Sequence, residues 1–428
     1  MMEFKSGFSR TEITPPAGIE LTGYVARIGK SIGLHDSLYS SAWVIKTSSL
    51  KLVIISCDIL AFSEESVNVI RKNISRKIEV QEENIILIAT HTHSGPATIF
   101  LRNCGKIDDE WLNFLHNSVV ESVINADKNL IPSKIFYGKN EVNLSYNRNN
   151  PEGKIDRTVR FLRVDDPGGK PAGFFVVYSC HPVVLDEKNL YISSDYPHYI
   201  RYYLNKQFGE NAIILFSSGA SGDIDPIKRG SFEFADEFGK KIADSIMKSK
   251  ITLLKTDKIN FKKDVLKLKF EKIPSLKDSE RILSVYKAQY ENSIKKKLPE
   301  LEIKIIKTFY EWAESLKTKI ENKNIKKSTD TELSILSIDD IAFVFFPGEI
   351  FSEIGILLND LSPYSETFFC GCSNGDIGYI GTEDACKRGG YEIDDAYKYY
   401  NSLKFNKNSG NIILRESLKL LHSMYNNR

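Results

Sequence analysis

The sequence predicts a mixed α/β fold: a mixed, largely parallel sheet flanked by helices, with a helical hairpin inserted late in the chain. Three observations predict it. Short, continuously apolar runs recur along roughly the first 250 residues, as strands buried on both faces do. Segments with apolar residues at helical spacing alternate with them, the signature of α/β layering. From about residue 251 to 330 the chain turns lysine- and glutamate-rich, with long helical patterns on either side of Leu298-Pro299. That pattern predicts a hairpin over about 270–328 within a single domain of 1–428.

Leu52-Val53-Ile54-Ile55-Ser56-Cys57 reads as the first such strand, followed by a helix with Val67, Ile70, Ile74 and Ile78 on one face behind a cap at Ser63. Ile85-Ile86-Leu87-Ile88 is the next strand. A helix opens at Asp108 and carries Trp111, Leu115, Val119 and Val123 on one stripe, with His116 as a packed helix residue. The run from Phe174 to Cys180 is a strand, Ser194-Asp195 caps a helix beginning near Pro197, and Ala212 to Phe216 is another strand. Ile341 to Phe346 and Phe368-Phe369 are late strands, and an amphipathic helix with Leu414, Leu418, Leu421 and Tyr425 ends the chain.

With 42% hydrophobic residues in 428, the chain can bury a sizeable core. Lys and Arg number 58 against 56 Asp and Glu, which gives no net field for nucleic acid. The lysine runs at 295–297 and 323–327 read as a solvated helix face and a loop. There is no basic segment followed by an apolar one at the N-terminus, and no stretch of membrane-spanning length. The six cysteines form no CxxC pair, and Cys370-Gly371-Cys372 reads as the end of a strand rather than a metal or redox pair. Cytoplasm is the expected location.

Chemistry concentrates where apolar strands end. Ile88-Ala89 runs into Thr90-His91-Thr92-His93-Ser94-Gly95-Pro96, and side chains two apart on a strand share a face. Such a pair is either a metal-ligating pair or a hydrogen-bonded turn. Other strands end in Cys180-His181-Pro182 and Pro347-Gly348-Glu349, as the ligand-binding end of an α/β sheet would. His91, His181 and Glu349 would supply zinc with two imidazoles and a carboxylate, leaving a position for water and a net positive charge to polarise a carbonyl. The other reading is three unrelated polar residues at strand ends, since spacing does not show that they converge.

Taken together, these blocks resemble the neutral (non-lysosomal) ceramidases and their bacterial relatives. The resemblance runs from Ser9-Arg10-Thr11-Glu12-Ile13-Thr14-Pro15-Pro16 through Gly23-Tyr24, His35-Asp36 and the His91 block. Asn147-Arg148-Asn149, Cys180-His181-Pro182, Ser193-Ser194-Asp195, Gly222-Asp223 and Pro347-Gly348-Glu349 follow in family order. It implies that His91, His181 and Glu349 bind zinc. It adds Tyr379 as a further ligand, from Gly378-Tyr379-Ile380-Gly381-Thr382-Glu383 and the second tyrosine at Tyr391. By the same resemblance His93 lies beside the metal and hydrogen-bonds the substrate or its oxyanion, and Arg148 and Tyr391 line the substrate pocket.

The chain departs from that pattern at two places. In Gly222-Asp223-Ile224-Asp225-Pro226, Asp225 takes the slot where the ceramidases place a serine regarded as catalytic, and Ser221 lies on the other side of the turn. A carboxylate suits orienting or deprotonating a water better than attacking an amide. The family typically continues into a C-terminal β-sandwich of roughly 100 residues, whereas about 35 residues follow Tyr391. The expected function is a zinc-dependent hydrolase that cleaves the amide of a small N-acyl amine or N-acyl amino alcohol by metal-activated water, with His93 stabilising the oxyanion and Asp225 managing protons. The alternatives are an esterase, lactonase or phosphoesterase with the same ion, or a non-catalytic zinc-binding homologue.

Overall fold

The computed structural model describes residues 4–256 and 258–427. Three sheets share one apolar core. The first orders its strands Ile85–Ala89, Lys51–Cys57, Tyr39–Lys46, Lys5–Glu12 and Ile131–Pro132; the second, Ile213–Ser218, Pro171–Tyr178, Thr158–Asp165, Lys134–Glu141 and Ile251–Leu253; the third, Ile259–Lys269, Ser328–Ile338, Ile341–Phe345 and Glu366–Cys370. Alternation along each strand sends side chains to opposite faces. Ile54 and Ile86 of the first sheet, Phe175 and Leu215 of the second and Phe343 and Phe368 of the third meet in the common core.

The opposite faces are covered by helices. Val53, Ile55 and Leu87 pack on α1 (Glu64–Ile78) and α2 (Asp109–Lys128). Phe174 and Phe216 pack on α3 (Tyr196–Phe208) and α4 (Phe232–Lys248). Leu333 and Val344 pack near α7 (Ser352–Leu361) and the C-terminal helix Ser409–Asn426. Between the first two strands of the third sheet the chain makes the long helices α5 (Leu276–Lys295) and α6 (Glu300–Glu321), with Pro299 as the cap residue of α6. The caps at Ser63, Asp108 and Asp195 lie where the sequence places them.

The α/β class and the mixed sheets match expectation, but the pairing is less parallel than the apolar runs suggest. Each of the three sheets contains one parallel pair: Lys51–Cys57 with Ile85–Ala89, Pro171–Tyr178 with Ile213–Ser218, and Ile341–Phe345 with Glu366–Cys370. The remaining pairings in them are antiparallel. Antiparallel strands here are apolar on both faces because each sheet lies between the shared core and a helical layer, so continuous hydrophobicity reports double burial and not strand direction.

The three parallel pairs end close together. Ser56 Oγ donates to Phe216 O at 2.6 Å, Gly371 N to Ser218 O at 2.9 Å, Ala89 N to Cys372 O at 3.1 Å and Asn374 N to Leu87 O at 2.6 Å. The carboxyl ends of three sheets are therefore sewn into one floor, where such folds place ligands. Among the described residues no helix is long and apolar enough to cross a membrane, and the six cysteines are free thiols.

One ion-pair cluster ties the first layer to the third. Arg71 of α1 donates to both oxygens of Glu332, at 2.8 and 2.9 Å, and through Nε to Ile85 O at 2.8 Å. Lys263 Nζ lies 2.8 Å from the same carboxylate, and Asn374 donates to it at 2.7 Å. Burial opposes the Glu332 charge, but these donors outweigh it and hold the carboxyl down at about 2, from an ordinary 4.5. A depressed carboxyl contributes stability above its unfolded value, and that contribution is lost as pH falls from about 4.5 to about 2. Glu332→Gln should cost about 3 kcal/mol at neutral pH, because it strands buried cations. Urea unfolding of both proteins at pH 7 and pH 3 checks this: the difference must shrink at the lower pH.

Candidate active site

The Ile85–Ala89 strand stops two residues before His91, so strand alternation is not what brings His91 and His93 together. His91 adopts φ 69°, the left-handed region that is uncommon outside glycine. Its N–H donates to Ile59 O at 3.0 Å. The turn folds the chain so that the two imidazoles meet edge to face, 5.0 Å apart, with His181 5.1 Å from His91 and 6.0 Å from His93. Gly23 permits this closeness: at φ +92°, a Cβ on it would lie 2.5 Å from the His93 ring.

His181 follows the Pro171–Tyr178 strand, and its N–H donates to Ile224 O at 3.0 Å. Glu349 follows the Ile341–Phe345 strand and pairs in parallel register with Tyr379, which sets these two residues side by side. Gly222 lies against the Glu349 backbone, where a Cβ would sit 2.4 Å from Glu349 O. Each of these approaches depends on a short turn at a strand end, and together they draw residues nearly 300 positions apart into one cluster.

The donor set is arranged as metal-binding imidazoles usually are. His91 Nδ1 donates to Leu60 O at 2.9 Å and His181 Nδ1 to Ile224 O at 3.3 Å. A carbonyl can only accept, so these contacts place the protons on Nδ1 and leave both Nε2 lone pairs facing inward. Glu349 Oε2 lies 2.8 Å from His181 Nε2 and 3.3 Å from His91 Nε2. His91 Nε2 and both His93 nitrogens are buried without a hydrogen-bond partner. The ligand atoms of His91, His93 and His181 all lie within 4.8 Å of one another. A single cation would satisfy His91 Nε2, His181 Nε2 and the Glu349 carboxylate at once, so these residues fit a zinc ion.

The electrostatics agree with that fit. Burial, reinforced by the neighbouring imidazoles of His91 and His181, holds His93 well below its ordinary value and so neutral. Burial opposes charge on Glu349, but positive charge and hydrogen-bond donation at His91 and His181 outweigh it and hold the carboxyl well below its ordinary range. Against burial, Cys372 and Glu349 in turn push His91 well above its own, so this cluster calls for a positive charge between its imidazoles and carboxylate. Tyr379 OH lies 3.5 Å from His181 Nε2 and accepts from Arg148 Nη2 at 3.3 Å. Tyr400 OH lies 2.7 Å from Glu349 Oε1 and 2.9 Å from Asp376 Oδ2. Burial and the Glu349 charge push Asp376 up to about 7.

These groups border a cavity of about 230 Å³ whose walls include His91, His93, Glu349, Tyr379, Arg148 and Tyr391, with Leu60, Leu101 and Val183 as apolar lining. The cavity is below the ~300–1,000 Å³ typical of drug-sized ligands, which suits a compact substrate. Tyr391 is half exposed and stands at the rim.

Arg148 is almost fully engaged. It donates to Glu392 at 2.7 Å, Asp225 at 2.8 Å, Gly222 O at 3.0 Å and Tyr379 OH. Asp225 has a setting that differs from the one the sequence suggests. It is buried, it does not border the cavity, and its second oxygen accepts from Arg229 at 3.3 Å. Both of its oxygens therefore face guanidinium groups.

Sequence reasoning missed Tyr24, Arg229, Asp376, Glu392 and Tyr400. It also set aside Cys372, whose thiol lies 3.3 Å from His91 Nδ1. Asp376 carried a usable signal, since it sits in the glycine-rich turn Gly375-Asp376-Ile377-Gly378 that follows a strand; Arg229 and Tyr400 carried none.

Comparison with known proteins supports the same identity. Residues 4–331 match the model of the neutral/alkaline non-lysosomal ceramidase family, N-terminal part. The neutral ceramidase of Pseudomonas aeruginosa is 26% identical over 264 residues, 55% of this chain and 39% of that protein. Neutral ceramidase B of Dictyostelium discoideum is 27% identical over 244 residues, 50% of this chain and 34% of that protein. The matched segments thus cover well under half the length of these curated relatives. The crystal structure of the Pseudomonas aeruginosa neutral ceramidase superposes on all of this chain and 75% of that one, with a TM-score of 0.75 at 16% identity. A solved structure described as ceramidase complexed with C2 superposes with a TM-score of 0.77, also at 16% identity. The family match includes His91, Arg148, His181 and Asp225, the shared fold extends through Glu349, Tyr379 and Tyr391, and the chain belongs to the neutral/alkaline non-lysosomal ceramidase family.

Proposed function

We propose that this protein is a zinc-dependent hydrolase that cleaves the amide bond of an N-acyl amine or N-acyl amino alcohol. One observation carries the proposal: three imidazoles and a carboxylate converge at the cavity floor, with His91 Nε2 and both His93 nitrogens buried and unpartnered. Family membership supports amide chemistry, since the matched relatives are named as ceramidases. His91, His181 and Glu349, with Tyr379 beside them, would hold the ion. Bound there, zinc would supply a Lewis acid for the scissile carbonyl and lower the pKa of water to about 7.

The chain's own residues have distinct tasks in this reading. His93 is neutral and has both nitrogens free, so it is the group placed to donate to the carbonyl oxygen or to exchange a proton with the departing amine. Tyr400 and Asp376 hold Glu349 in place. Arg148 and Tyr391 orient the substrate at the wall and rim. Asp225 acts through Arg148 as a positioning residue, because both of its oxygens are engaged by guanidinium groups and it does not border the cavity.

Purified protein is expected to carry about one zinc per chain by elemental analysis. The zinc-loaded protein should hydrolyse N-acyl amines of graded chain length faster than the corresponding esters. Absence of stoichiometric metal, or esterase activity with no amidase activity, would overturn the proposal.

A further inference from the structure

The charges at the cavity wall are unevenly disposed. Arg148 and Arg229 border it, and the one carboxylate that does so is Glu349, which is committed to the imidazole cluster and Tyr400. The counter-ions Asp225 and Glu392 lie away from the cavity, so the wall presents the cationic side of its ion pairs.

Arg229 is the less saturated of the two. Its Nε donates to Val183 O at 2.8 Å, Nη1 to Asp225 at 3.3 Å and Nη2 to Tyr24 OH at 3.0 Å. A guanidinium has five N–H groups, so two remain without a protein partner among the described residues. Its side chain is 32% exposed. The Asp225 charge is shared with Arg148, which approaches it more closely at 2.8 Å.

A third guanidinium stands behind the same wall. The Tyr24 ring has Arg27 5.0 Å and Arg229 5.9 Å from its centroid, and lies 4.9 Å from the His93 ring. Arg27 is buried, its Nη2 has no partner, and its other nitrogens donate to the backbone carbonyls of Asn189 and Thr22. Two guanidinium groups thus flank Tyr24, one tyrosine away from His93, and the carboxylate that Arg229 contacts is already shared with Arg148.

We propose that Arg229 binds a carboxylate on the substrate, and that the protein's preferred substrates are N-acyl amino acids rather than neutral N-acyl amino alcohols. This deepens the hydrolase reading and rests on it for the cavity's role as substrate site. A planar carboxylate suits the remaining N–H pair of a guanidinium. The charge of Arg27, whose contacts are backbone carbonyls, favours an anion beyond that single contact. A neutral hydroxyl group would leave those donors to water.

The test measures binding and hydrolysis separately, on the zinc-loaded full chain. N-butanoylglycine and N-butanoylethanolamine are compact, share an acyl chain and differ in charge. Wild type should bind the glycine conjugate about tenfold more tightly or better by calorimetry, and the preference should fall with added salt. Arg229→Gln should reduce the preference to within about twofold, and Arg229→Lys should keep part of it. Zinc content and circular dichroism report whether each variant is intact. Equal affinities in wild type, no measurable binding of either compound, or a preference that survives Arg229→Gln would each overturn the inference. A binding preference without hydrolysis of either compound would uphold it and overturn the hydrolase reading. Hydrolysis of both without a preference would do the reverse.

Discussion

Replacing His181 with alanine is expected to remove the zinc and to lower kcat/KM by about a thousandfold, the several kcal/mol that a Lewis-acid metal supplies. His181 is fully buried and its Nε2 lies 2.8 Å from Glu349 Oε2. Alanine therefore removes an inward lone pair and leaves a buried carboxylate short of its nearest partner. The fold should persist, because the backbone bond from His181 N to Ile224 O does not depend on the side chain. His116→Ala is the matched control: His116 lies on α2 with Nε2 2.9 Å from Ser66 Oγ, outside the cluster, and should keep both metal and activity. Elemental analysis and steady-state kinetics on the same preparations decide the matter. Full zinc occupancy in both His91→Ala and His181→Ala would refute the ligand assignment.

The sequence discloses which residues these are more readily than how they meet. His91, His181 and Glu349 were legible because each follows an apolar run, and an apolar run that ends in a metal-capable turn is a local pattern. The manner of convergence was not legible. The His91–His93 pair looks like strand alternation but arises from a left-handed turn at His91, and such a conformation leaves no composition signal in a non-glycine residue. Strand direction was illegible for a related reason: burial on both faces gives the same apolar run in parallel and antiparallel strands. Tyr400, Glu392 and Arg229 lie in ordinary charged and aromatic surroundings, and only tertiary contact distinguishes them. Asp225 was legible as a departure from the family pattern, yet its partners Arg148 and Arg229 could be known only from the structure.

The second large effect is expected at Arg148. Arg148→Met would leave Asp225 and Glu392 buried and unpaired on that side, a loss of roughly 3–5 kcal/mol in stability. It would also release Gly222 O and Tyr379 OH, both next to the ligand cluster. Arg148→Lys retains the charge but cannot reproduce four directed bonds from one planar group. It should keep zinc and lower kcat/KM by about a hundredfold. Asp225→Asn separates positioning from proton transfer. If Asp225 accepts a proton, this substitution should erase the acid limb of the kcat/KM profile against pH, along with most of the rate. If it positions Arg148, the limb stays in place, the rate falls by about tenfold, and Asp225→Asn adds little further loss to Arg148→Lys, since both changes act on one contact. The 2.8 Å Arg148–Asp225 pair, with Arg229 on the other oxygen, supports positioning. A vanished acid limb with the zinc retained would return Asp225 to the proton path.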